Sequence, residues 1–287
     1  MHAIFVFCEG SHDIAFLGRV LTGVGGYSEC RKKLQEFPDP LQKFLEQRLR
    51  QRPVQERPAR GVLRDDPPVL ELALENAAEP GYLWLFLNCQ GQDQHSSVRK
   101  FLSDFAKLFG APFGTEVHPH ARLQGWSAVF FYDANAVGLD EKLTRFKARY
   151  EGVFGGLSTL EARSWMSASV QAREGTSIAC DVGCFIFTSP GAKDGTLEDA
   201  LLPILESEDV GLFRVATAFI DDHDRPECLV KRSLGSSRKK AIITAAAQFD
   251  HPSYSMAVFL RETKLLESET LRSNEMCQAI VKFFARR

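Results

Sequence analysis

The chain lacks any long uncharged apolar stretch, so no segment reads as a membrane-spanning helix, which needs about 20 apolar residues. It also lacks an excess of charge of either sign. Lys and Arg total 35 against 37 Asp and Glu, for a formal net charge of −2. A nucleic-acid coat protein of strongly basic composition is thereby excluded, although a basic groove on a neutral protein is not. The seven cysteines (Cys8, Cys30, Cys89, Cys180, Cys184, Cys228 and Cys277) include no C-x-x-C pair, and several sit in apolar runs. That odd, scattered set suits neither a secreted disulfide framework nor a structural zinc site, and it fits a reducing compartment. The opening MHAIFVFCEGSHD carries no basic n-region and only a short apolar run, so it does not read as a signal peptide. The expectation is a cytoplasmic protein with no membrane association. No G-x-x-x-x-G-K-[ST] occurs, which argues against a Walker-type ATPase. The glycines at 23, 25 and 26 follow a helical pattern and read as a C-cap and turn.

What is present is ordinary globular material, 44% hydrophobic and 25% charged over 287 residues, enough for a substantial core. Short apolar runs alternate with amphipathic segments. Ala3–Cys8, Tyr82–Leu87, Ala128–Tyr132 and Cys184–Phe187 read as buried strands. Helical patterns follow them from Ser11, a candidate N-cap, to Gly23, then over Val98–Leu108, Val137–Tyr150 and Thr196–Leu205. This alternation predicts an α/β fold: one domain over 1–287, a mostly parallel sheet with helices on both faces. Residues 27–80 differ in composition and read as a helical and loop insertion on the surface, with a helix near Leu34–Arg50 and an exposed loop from Arg52 to Pro68. Residues 207–287 read as an α/β extension of the same domain, with one more strand at Met256–Leu260.

In a parallel sheet, ligands bind at the carboxyl ends of the strands. Two predicted strands end in acidic turns, at Glu9 and at Asp133. Asp13 follows Glu9 by four residues, and Glu198 and Asp199 open the helix after the fourth strand. Carboxylates converging on one edge repel one another unless a cation lies among them, and Mg²⁺ (or Mn²⁺) prefers such oxygen donors. Each carboxylate also has a purely structural reading: Asp133 and Asp199 as helix caps, Asp13 as a complement to a helix dipole. Three further clusters read more simply as solvated surface. They are the arginines at 48, 50, 52, 57 and 60, which could touch phosphates but are balanced by nearby carboxylates; His118-Pro119-His120, which could offer two metal ligands but reads as a loop; and Asp221-Asp222-His223-Asp224, which could bind a cation but reads as a solvated turn.

The order of these features resembles the Toprim family. Ile4–Asp13 (IFVFCEGSHD) is similar to its first motif, an apolar strand followed by E-G-x-x-D, and Ala128–Asn135 (AVFFYDAN) to its second, a strand followed by D-x-D. Gly195–Asp199 resembles the Leu-Glu segment of the branch containing the overcoming-lysogenization-defect (OLD) nucleases, and Arg238–Ile243 the lysine-bearing segment of that branch. The resemblance implies a divalent-metal-dependent phosphodiesterase or nuclease acting on DNA or RNA. Glu9 would be a metal ligand or general acid/base. Asp13, Asp133 and Glu198 would serve the metal, and Lys240, or Lys239, would stabilise charge on the phosphate. A partner protein could be supplied in trans. The departure is Asn135, which stands where the family usually carries a second Asp; it would offer the metal one neutral carbonyl oxygen. The alternative implied by that departure is a non-catalytic relative that binds nucleic acid or a partner protein.

Overall fold

The computed structural model describes residues 1–50, 68–91, 94–111, 122–173, 176–223 and 237–285. His118-Pro119-His120, the arginines at 52, 57 and 60, most of the 52–68 loop, Asp224 and Cys228 lie outside the described residues.

Among the described residues, eight strands form one mixed sheet: β1 (His2–Cys8), β2 (Tyr27–Glu29), β3 (Val69–Asn76), β4 (Tyr82–Asn88), β5 (Gly125–Asp133), β6 (Phe154–Gly155), β7 (Ser164–Arg173) and β8 (Thr176–Phe187), in the spatial order β2-β3-β4-β1-β5-β8-β7-β6. The α/β expectation holds, with a parallel core and antiparallel margins. β1 pairs in parallel with β4 and β5, whereas β2–β3, β3–β4, β6–β7 and β7–β8 are antiparallel. Sequence explains the division. The central strands are unbroken apolar runs, and every residue of Ala3–Cys8 is buried, as a strand covered on both faces requires. The marginal β3 (VLELALEN) alternates apolar and acidic residues and is half-exposed.

The chain parts into two compact units built from interleaved segments. The first comprises 1–11, 26–132 and 143–185; the second comprises 12–25, 133–142 and 186–287. In the first unit, α2 (Leu41–Arg50), α3 (His95–Phe109) and most of α4 (Leu139–Tyr150) supply aromatic side chains to the sheet. Phe5 meets Phe101 and Phe105 edge-on, Phe7 stacks on Phe130, and Phe130 meets Phe146 and Tyr150. Phe44 of α2 reaches the same cluster through Phe101 and Phe105. The region 27–80, expected as a surface insertion, contributes β2 and β3 to the sheet, with Leu74 fully buried. The helix expected over Leu34–Arg50 is divided: Leu34–Glu36 is a single 3₁₀ turn, and α2 begins after Pro38 and Pro40, whose rings disfavour a continuous helix.

The second unit holds α1 (Ser11–Gly23) from His12 onward, α5 (Leu197–Glu208), α6 (Val210–His223), α7 (Arg238–Asp250), α8 (Met256–Glu262), α9 (Ser268–Ser273) and α10 (Glu275–Ala285). Arg19 of α1 donates to the carbonyls of Thr263 (2.9 Å) and Leu266 (3.1 Å), fixing α1 to the segment between α8 and α9. The expected strand at Met256–Leu260 is helix α8. Ser255 caps it by accepting from the Val258 amide, and Met256, Phe259 and Leu260 are buried at helical spacing. Among the described residues, the regular elements after 207 are all helices.

Candidate functional site

Five of the residues singled out in the sequence, Asp13, Asp133, Asn135, Glu198 and Lys240, belong to the second unit. Glu9 belongs to the first. It sits partly exposed in the turn after β1, and its carbonyl accepts from Gly91 (2.8 Å). Ser11 does not cap α1. Its hydroxyl donates to Glu71 (2.8 Å), which also accepts from Asn88 (2.7 Å).

The second unit's cluster is built at the start of two helices. β5 ends at Asp133, whose Oδ1 accepts from the Leu197 amide at 2.8 Å. Asp133 therefore caps α5, satisfying one of the amides that a helix start leaves open. The turn beyond it is fixed by paired backbone bonds, Asn135 N–H to Gly195 O (2.6 Å) and Gly195 N–H to Asn135 O (3.1 Å). Asn135 adopts φ = 53°, a left-handed conformation that Asn tolerates well. Gly195, at φ = 117°, is required there, because a Cβ would collide with the backbone nitrogen and hydroxyl of Ser189. Thr196 and Asp199 form a capping box, with the Thr196 amide donating to Asp199 Oδ2 at 2.6 Å. The cap reading thus describes Asp199 and Asp133 correctly, and Lys239 pairs with the other oxygen of Asp199.

Glu198, on the same turn, is different. It is 3% exposed and lies outside the Thr196–Asp199 capping box. Lys240 Nζ lies 2.9 Å from its Oε1, and His12 Nε2 lies 3.5 Å from it. Neither contact has the geometry of a good hydrogen bond to Oε1, so the interaction is essentially ionic. His12 Nε2 is also 3.3 Å from Asp13 Oδ1 and 3.2 Å from Lys240 Nζ. Asp13 is itself buried, at 4% exposure. Burial pushes the Glu198 carboxyl up, but the charge and contact of Lys240, with help from His12, outweigh it and hold the group below its ordinary range. For Lys240, burial works downward, and Glu198, Asp13 and Asp133 together outweigh it and raise the ammonium's pKa. Three carboxylates on three separate elements therefore act on one lysine.

His12 is the residue the sequence did not reveal. It fills an unspecified position of the E-G-x-x-D pattern, and its contacts with Glu198 and Lys240, 186 and 228 positions away, mark it. The donors are hard oxygens with one imidazole, which suits a hydrated divalent cation in chemistry. In this arrangement the ammonium of Lys240 lies among them, and among the described residues no three His, Cys, Asp or Glu side chains are gathered closely enough to hold an ion directly.

The fold and the cluster define an α/β protein with a buried, lysine-paired carboxylate group at a strand end. No family model and no curated protein matches the chain. A solved structure of a hypothetical protein from Pyrococcus horikoshii OT3 is similar at a TM-score of 0.47 and 12% identity, covering 99% of this chain and 100% of that one. No helix among the described residues is long and apolar enough to cross a membrane.

Proposed function

We propose that the cluster of Asp13, Asp133, Glu198 and Lys240 is the divalent-metal site of a Toprim-type phosphodiesterase or nuclease acting on DNA or RNA in the cytoplasm. One observation carries the reading. Asp13, Asp133 and Glu198 all act on Lys240, and Glu198 is a buried carboxylate with the lysine 2.9 Å from its Oε1. Asp13, Asp133 and Glu198 would hold a hydrated Mg²⁺ or Mn²⁺ through its water ligands, with the Asn135 carbonyl as a neutral donor. The bound cation would polarise a phosphoryl oxygen and lower the pKa of a water molecule. Lys240 would neutralise charge developing on the phosphate. The test is a cleavage screen of single- and double-stranded DNA and RNA with Mg²⁺ or Mn²⁺. Wild type should cut one of these substrates, EDTA should stop it, and Glu198→Gln should lower the rate at least tenfold. Cleavage untouched by Glu198→Gln would refute the assignment.

A second reading, a non-catalytic nucleic-acid- or partner-binding protein, draws on the neutral Asn135 and on the Lys240–Glu198 pair. Undiminished nucleic-acid affinity in EDTA, with no cleavage under any metal, would favour it.

A further inference from the structure

We infer that the ammonium of Lys240 is the cluster's resident cation, and that a divalent ion enters only by displacing it. The inference rests on the metal-site reading above. It adds that Lys240 sets the metal concentration at which the site loads.

Two contacts place the lysine. Its Nζ is 2.9 Å from Glu198 Oε1 and 3.2 Å from His12 Nε2. His12 Nε2 in turn stands 3.3 Å from Asp13 Oδ1 and 3.5 Å from Glu198 Oε1. The ammonium thus lies against Glu198 and His12, with Asp13 one contact further on. The adjacent Lys239 pairs with Asp199, which already closes the capping box of α5, so it serves a different carboxylate. Glu198 Oε1 is buried and has no well-formed hydrogen bond, so its charge leans on its ionic partners. The Lys240 side chain, in contrast, is 44% exposed. It can swing into water on its four-carbon stem without moving the backbone of α7. A divalent ion carries twice the charge of the ammonium and interacts more strongly with the same carboxylates. The two cations are therefore mutually exclusive occupants, and the apparent metal affinity is reduced by the fraction of molecules in which the lysine holds the site.

The experiment has two arms, both read without turnover. Mn²⁺ binding is measured by calorimetry for wild type, Lys240→Met and Lys240→Arg. Separately, acetylation of Lys240 in the wild-type protein is followed by mass spectrometry with and without Mn²⁺, an arm that does not depend on any variant folding. Displacement predicts that Lys240→Met binds Mn²⁺ about tenfold tighter or more. Lys240→Arg, which keeps the charge, should not. It also predicts that Mn²⁺ raises acetylation of Lys240 severalfold. If wild type binds Mn²⁺ while Lys240→Met binds no tighter and acetylation stays level or falls, the displacement idea is overturned and the metal site stands. If neither wild type nor Lys240→Met takes up Mn²⁺, the metal site itself is wrong and the displacement idea falls with it.

Discussion

The Glu198–Lys240 pair makes a quantitative prediction. Breaking a fully buried pair by removing one partner costs about 3–5 kcal/mol, while an exposed pair is worth about 0–1 kcal/mol. Here one side chain is buried at 4% exposure and the other is 44% exposed, with 2.9 Å between charges. The intermediate setting gives about 2 kcal/mol for Lys240→Met, which leaves Glu198 charged and buried. Glu198→Gln should cost less, about 1 kcal/mol, because the freed ammonium can hydrate. The double variant should cost no more than about 1 kcal/mol, for a coupling near 2 kcal/mol in a double-mutant cycle. Urea unfolding in EDTA at neutral pH is the assay. The pH dependence has a defined sign. Glu198 is held below its ordinary value of 4.5, so its contribution is complete above that pH and is lost as the pH falls through the folded-state value. Lys240 is raised above its ordinary 10.5, so its contribution is complete below that pH and is lost in stronger alkali. Single-variant costs that simply add, within about 0.5 kcal/mol, would refute the pairing.

Other perturbations test each unit by itself. Phe130→Ala removes a fully buried ring that touches Phe7, Phe146 and Tyr150, and should cost about 3–5 kcal/mol in denaturant unfolding. Gly195→Ala forces a side chain onto φ = 117° and into Ser189, and should cost about 3 kcal/mol by the same measurement. Asn135→Asp keeps a residue type that tolerates φ = 53° while adding a carboxylate, so calorimetry should find tighter Mn²⁺ binding with little change in thermal midpoint.

The parts of the fold legible in the sequence are those whose signal is local. The runs IFVFC, YLWLFL and AVFFY are continuous because the central strands are buried on both faces. β3 and β7 escaped notice because half-exposed marginal strands mix apolar with polar residues, as in Val69–Asn76 and Ser164–Arg173. Met256–Leu260 misled because five apolar residues fit a strand or a buried helix equally, and only the Ser255 cap and its packing decide. The two units are assembled from interleaved segments, so no linker composition announces them. At the cluster, Asp13, Asp133, Glu198 and Lys240 were visible as motif positions. The capping duty of Asp133 toward α5, and the part played by His12, arise from contacts 64 and 186 positions apart along the chain, beyond any local pattern.

The most direct test of the central claim is calorimetric titration of Mg²⁺ and Mn²⁺ into wild type and Asp133→Asn. Asparagine keeps the oxygen that accepts from Leu197, removes the charge and turns the other oxygen into an amide donor. The metal-site account predicts saturable binding to wild type that weakens at least tenfold in Asp133→Asn, while the variant stays folded in EDTA. Equal affinity in both proteins, or no binding to wild type, would contradict it.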